Sequence, residues 1–184
     1  MTVVSRRNAA EALLRARGAD HVGHPGGTLL AHLVRVQTVL AEWGADDDVQ
    51  LAGLCHATYG TDGFRVALLE LDERPVLVDA IGSGAEALVY LYASCDREQT
   101  YPQLVQRVVI FTDRFRGTRH TPASSGLRAF MEVTAANELD VVRHNRELAD
   151  QHGDGLAALF AEAGQYLSEP ANRAWAEFAS THRS

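Results

Sequence analysis

Two stretches decide the fold: Thr28-Leu29-Leu30-Ala31-His32-Leu33-Val34-Arg35-Val36-Gln37 and Leu51-Ala52-Gly53-Leu54-Cys55-His56. In and beyond the first, Leu29, Leu33, Val36, Val39, Leu40 and Trp43 recur at three- and four-residue steps, the period of a helix with one apolar face. Thr28 stands where an N-cap is wanted, and Gly44 where the helix must end. His32 shares a face with Leu29, Leu33 and Val36, so its imidazole points inward. The second stretch is apolar nearly all round, which marks a buried central helix over 49–57. Ala45-Asp46-Asp47-Asp48 opens it with acid at the positive end of the helix dipole. His56 closes it, and Tyr59-Gly60-Thr61-Asp62-Gly63 turns just beyond.

Working outward, residues 6–17 read as an amphipathic helix, and 18–27 as a loop carrying His21, His24 and Pro25. Two short helices follow over 64–71 and 75–81, with Pro75 in a first turn. Ser83-x-x-Glu86 reads as a capping box opening a helix through Cys95, which makes Glu86 a capping residue. Val108-Val109-Ile110-Phe111 is β-branched and aromatic, and Arg116-Gly117 is a turn, so a small hairpin fits near 107–119. Ser124 or Ser125 caps a long helix over 127–145, and two more helices occupy 155–166 and 170–180. The sum is an all-α single domain over 1–184, a bundle of eight or nine helices with one small β-hairpin.

At 184 residues the chain can bury a real core without staples. Its formal charge of -7 argues against a protein that binds nucleic acid by neutralising phosphates. All 17 basic residues are Arg. The lack of Lys excludes Schiff-base chemistry, a phosphate loop of the Walker type and a lysine general base. Any Arg that reaches a pocket would bind carboxylate or phosphate as a fork. Cys55 and Cys95 lie in apolar helical patterns and read as buried thiols of a reducing compartment. No apolar run approaches a membrane span, and the N-terminal Met-Thr-Val-Val-Ser-Arg-Arg has no signal-peptide apolar stretch, so a cytoplasmic location is expected.

Chemistry concentrates on the inward faces. His24 lies just before one buried helix, His32 within it and His56 at the end of the next. Asp140 sits on the inward edge of the long later helix, with Val133, Asn137 and Val141 at helical spacing. One histidine on an apolar face is usually a hydrogen-bonded core residue. Several buried imidazoles and a carboxylate on different helices point to one shared site, because burying each alone costs several kcal/mol.

His32 and His56 are 24 residues apart, and Leu51-Ala52-Gly53-Leu54-Cys55-His56 ends an apolar helix in His. This resembles the HD-domain superfamily of metal-dependent phosphohydrolases, most closely over 24–61. His-Pro-Gly-Gly-Thr-Leu-Leu-x-His-Leu with His-x-x-Tyr-Gly-Thr looks like a divergent bacterial branch, for which the resemblance supplies no activity. Ala57 stands where the superfamily has an Asp that bridges two metals, so a dinuclear centre is not expected. The resemblance leaves His32, His56 and Asp140 as ligands of one divalent Fe, Mn or Zn with open positions. It implies a small-molecule hydrolase, or an oxygen-dependent enzyme at iron. His56, His24 and Tyr59 are the catalytic candidates, Tyr59 as hydrogen-bond donor or acid. Thr61, His21, Asn137 and Arg97 are the substrate-binding candidates, and Arg114, Arg116 and Arg119 are further sites for an anion. The alternatives are a metal-free pocket using His56 as base and Tyr59 as acid, and a non-catalytic interaction module.

The partner is a small molecule, not nucleic acid or membrane, and a homo-oligomer is open. No Gly-x-Ser-x-Gly or Gly-x-Gly-x-x-Gly occurs, so neither a serine hydrolase elbow nor a dinucleotide loop is present. Cys55 and His56, neighbours on one helix, point about 100° apart and do not make a dyad.

Overall fold

The two apolar stretches form helices that pack directly on each other. In a computed structural model, which describes residues 2–182, α2 spans Leu29–Glu42 and α3 spans Asp47–Cys55. The hydroxyl of Thr28 accepts from the Ala31 amide at 3.2 Å and caps α2. Gly44, at φ +76°, takes the left-handed turn that ends it.

Seven further α-helices complete the set among the described residues. They are α1 (Val3–Ala16), α4 (Arg74–Ile81), α5 (Ser83–Ser94), α6 (Arg97–Thr100), α7 (Ser124–His144), α8 (Arg146–Glu162) and α9 (Glu169–His182). The core helix is α3, packed against α1, α2, α5 and α7. That position explains its all-round apolar surface, since Leu51 through Cys55 are all buried. Helices α8 and α9 pair with each other and close over α7. Cys55 and Cys95 are buried free thiols, and burial pushes both up to about 12, so neither is a reactive thiolate at neutral pH. Among the described residues no helix is long and apolar enough to cross a membrane.

The protein is therefore all-α with a small hairpin where the sequence predicts one. Strands β3 (Phe111–Asp113) and β4 (Thr118–His120) pair antiparallel around Gly117. A second hairpin lies within the expected loop 18–27. Its two-residue strands Gly23–His24 and Gly27–Thr28 pair around Gly26, at φ +78°.

Four local expectations are corrected. The segment 64–70 is irregular and Leu71 opens a short 3-10 turn over Leu71–Glu73, so no helix spans 64–71. Thr61 and Phe64 exchange backbone hydrogen bonds, and the amides of Leu68 and Leu69 both donate to the Thr58 carbonyl, which folds the chain back. Ser83 and Glu86 make no capping box; Gly82 precedes α5, and the Glu86 carboxylate turns inward to Arg74. Neither Ser124 nor Ser125 caps α7, because the helix already begins at Ser124 behind Ala123. Helix α8 starts at Arg146, well before 155, since Asn145 caps it by accepting from the Leu148 amide. Gly153 is kept inside that helix by packing, as its missing side chain admits the Phe178 ring of α9.

The approach of α3 to α2 depends on Gly53, where a Cβ would overlap Leu40 and press on Val36 at 3.4 Å. Gly53→Ala is expected to lower stability, because overpacking of about 1–3 kcal/mol exceeds a helix-propensity gain of at most about 1 kcal/mol. Urea unfolding of the variant against the parent measures it.

Candidate functional site

His32 is in the first turn of α2, His56 follows the last residue of α3, and Asn137 and Asp140 share a face of α7 one turn apart. Packing α2 between α3 and α7 brings the four side chains together. His32 is fully buried, and its Nδ1 donates to Asp140 Oδ2 at 2.7 Å. Arg35, one turn along α2, grips the same carboxylate as a fork: Nε to Oδ1 at 2.7 Å and Nη2 to Oδ2 at 2.9 Å. Burial pushes the Asp140 carboxyl up, but the His32 and Arg35 hydrogen bonds outweigh it and hold the group at about 2. It is an anion, so the proton of the His32–Asp140 bond sits on His32 Nδ1.

His56 has the matching arrangement. Its Nδ1 lies 2.8 Å from the Gly53 carbonyl, which only accepts, so Nδ1 carries the proton. The two Nε2 atoms then face each other at 3.4 Å. Asn137 Oδ1 approaches His32 Nε2 to 3.0 Å, while its amide nitrogen donates to Glu138 Oε1 at 3.1 Å. His32 Nε2, His56 Nε2 and Asn137 Oδ1 thus converge.

His24, on the first hairpin, stacks on His32 with ring centroids 3.9 Å apart. Its Nδ1 is buried and makes no hydrogen bond. Burial, then the neighbouring His32, holds His24 down at about 4 and His56 at about 3, so both imidazoles are neutral at pH 7.

These groups border a cavity of about 360 Å³ closed by the hairpin, the end of α3, α6, α7 and α8. His24, His56, Thr61, Arg97, Asn137, Glu138 and His152 supply its polar lining. Arg97 donates to Glu138 Oε1 at 2.9 Å and to the Tyr92 hydroxyl at 3.1 Å. The rest of the wall is mainly apolar, with Phe64, Val141, Val142, Leu148 and Leu156.

Four expected roles are corrected. Asp140 is not available as a metal ligand, because both its oxygens are taken by His32 and Arg35. Correspondingly, no three His, Cys, Asp or Glu side chains among the described residues are arranged to hold one metal ion. Tyr59 points away from the cavity and donates to Glu86 Oε1 at 3.0 Å. Arg74 pairs with the same carboxylate, and burial followed by Glu86 pushes the Tyr59 phenol up, which removes it as an acid for this cavity. His21 is 86% exposed beside Asp20 and lies outside the site. Arg114 is also elsewhere, bound to the Ala93 and Gly60 carbonyls.

Arg35, Glu138, Phe64 and His152 are cavity or site residues that sequence reasoning missed. The spacing of Arg35, three residues after His32, was a usable signal. His152 had none, because it lies on the part of α8 that the sequence left out of a helix.

Residues 13–97 are similar to a family described as a domain of unknown function (DUF6817). The matched segment holds His24, His32, His56, Thr61 and Arg97 and stops short of α7 with Asn137 and Asp140. No curated protein and no solved structure matches the chain.

Low folded-state values for His56 and His24 mean that the native protein binds fewer protons than the unfolded chain below the ordinary histidine value of 6.5. Stability is therefore present above that value and lost on acidification toward 4 and then 3; Asp140 adds to the loss only below 3.8. His56 alone contributes a loss of about 2 kcal/mol between about pH 7 and pH 5. Denaturant unfolding in a chelating buffer measures it, and His56→Gln flattens the dependence.

Proposed function

We propose that this chain is a small-molecule enzyme carrying one divalent cation, Fe, Mn or Zn, held by His32 and His56 through their Nε2 atoms with Asn137 Oδ1 as a third donor. The carrying observation is the convergence of those three atoms, 3.4 and 3.0 Å apart, in a buried space. Acceptors that face each other in a buried space repel unless a cation or a proton lies among them. Each histidine gives its Nδ1 proton to an acceptor behind it, Asp140 or the Gly53 carbonyl, which is how proteins orient metal-binding imidazoles. Neutral rings are also what a metal requires.

Asp140 is then a positioning residue in place of the ligand role that the HD resemblance implies. Ala57, which lines the cavity, leaves no carboxylate for a second ion. Held there by His32, His56 and Asn137, such an ion would supply Lewis acidity for hydrolysis or, as iron, for oxygen-dependent chemistry. The chain's own residues orient and enclose. Arg35 and Asp140 lock the His32 ring, Glu138 fixes the Asn137 amide, and the apolar wall excludes water from the reacting end. Two buried free thiols fit a cytoplasmic setting.

A second reading is favoured by the 2.7 Å contact of His32 with Asp140. A proton on His32 Nε2 would satisfy the same acceptors, making the cavity a metal-free binding site. His56, held at about 3, would then accept hydrogen bonds and not act as a base.

Metal content of protein purified without chelator or nickel resin decides between them. The expected result is about one equivalent of Fe, Mn or Zn, lost in His32→Ala and His56→Ala and retained in Tyr59→Phe. Asp140→Asn should keep the site but weaken it about 10–100-fold. Absence of metal, with a melting temperature unmoved by added Fe(II), Mn(II) or Zn(II), would sink the metal reading.

A further inference from the structure

A groove runs along α5, bordered by the start of α3, the start of α7 and the β3–β4 hairpin, and it shares no lining residue with the cavity. Two open hollows of about 710 and 620 Å³ make it up, and they meet at Leu88 and Gly126, which line both. We propose that this groove is the face through which two copies of the chain pair, antiparallel about a two-fold axis near Leu88 and Gly126.

The ends of the groove carry opposite charge. At the N-terminal end of α5 it is lined by Asp46, Asp47 and Asp48, and a Cβ on Gly84 would overlap Asp48 Oδ2. Asp48 pairs with Arg6 at 2.8 Å. The exposed Asp46 and Asp47 carboxylates have no partner among the described residues. At the C-terminal end of α5 the hairpin is anchored by the Arg114 amide, which donates to the Ser94 carbonyl at 2.8 Å. From that hairpin Arg116 and Arg119 line the groove. Among the described residues their guanidinium groups make no hydrogen bond or ion pair; Arg116 rests over the Tyr90 ring, 5.3 Å from its centroid. Asp113 lies at this end too, but it is buried, and its oxygens accept from the Tyr90 hydroxyl and from the amides of Phe115 and Arg116. Two unpaired carboxylates thus stand at one end and two unpaired guanidinium groups at the other.

From Gly84 to Ser94 the helix advances about 15 Å, and salt screens exposed charges beyond about 8 Å, so the two ends do not neutralise each other within one chain. An antiparallel second copy removes that separation. It sets Asp46 and Asp47 opposite the arginines of the other copy, and the two-fold repeats the pairing at the far end. Between the ends the floor holds Leu88, Leu91 and Pro122, all half-buried and able to lose water on pairing. A small anion would fill the arginine end and leave the carboxylates and the apolar floor untouched. A second copy engages all three, and the charges fix its register.

Sedimentation velocity of the full chain over a dilution series tests this. At low salt the expected species is a dimer in equilibrium with monomer, weakening as sodium chloride is raised. Arg116→Glu with Arg119→Glu should weaken self-association at least about tenfold, and so should Asp46→Arg with Asp47→Arg. Both double variants alter exposed side chains, and far-UV circular dichroism checks that each is folded. Mixing the two variants should restore a two-chain species, because each then meets opposite charge at both ends. Wild-type protein that stays monomeric at every concentration, a dimer indifferent to both reversals, or a mixture that stays monomeric overturns the proposal. Inorganic phosphate that raises the melting temperature of a monomeric wild type, with the shift lost in the arginine variant, assigns the arginines to a free anion and overturns it as well.

Discussion

Asp140 ties α2 to α7 through a buried carboxylate. One carboxylate receives the imidazole of His32 and the guanidinium of Arg35, both from α2 and one turn apart. A buried anion is expensive by itself, and here it is tolerable because charged and hydrogen-bonding partners meet both oxygens. The arrangement does more than hold two helices together. It fixes the plane of His32, and so decides that Nε2 faces His56. Had Asp140 been free of Arg35, its carboxylate could have turned to the same side as the imidazoles, giving a different donor set.

The second constraint is steric. Gly53 lets α3 settle against Leu40 and Val36 of α2, and its carbonyl receives His56 Nδ1. One residue thus sets the closeness of the helices and the orientation of the ring at the end of α3. Around this pole the chain after α3 is drawn back by the Thr58 carbonyl, which holds the amides of Leu68 and Leu69. That return path carries Phe64 to the cavity. The result is a hollow lined by both polar and hydrocarbon side chains, the mixture found in small-molecule sites.

Much of the helical framework was legible because its signals are local. Three- and four-residue periodicity, Thr28 and Gly44 at the ends of α2, and acid before α3 all act within a turn or two. The same locality misled elsewhere. Ser83 and Glu86 have capping-box spacing, yet Glu86 is claimed by Arg74 and Tyr59, which no local pattern announces. The apolar residues of 64–71 suggested a helix, but backbone bonds to Thr58 and Thr61 gave those amides other partners. Tyr59 follows His56 closely in sequence and points the other way in space.

From the chain alone one could establish an all-α protein with inward-facing His32, His56 and Asp140, because side-chain periodicity reports which face of a helix is buried. What the sequence left open was which atom of each group meets which partner. That was decided by packing α2 between α3 and α7, which set Arg35 on Asp140, turned two Nε2 atoms toward each other and brought Asn137 to them. The contacts to α7 join residues more than a hundred positions apart, and their geometry depends on how helices cross, which no local pattern encodes.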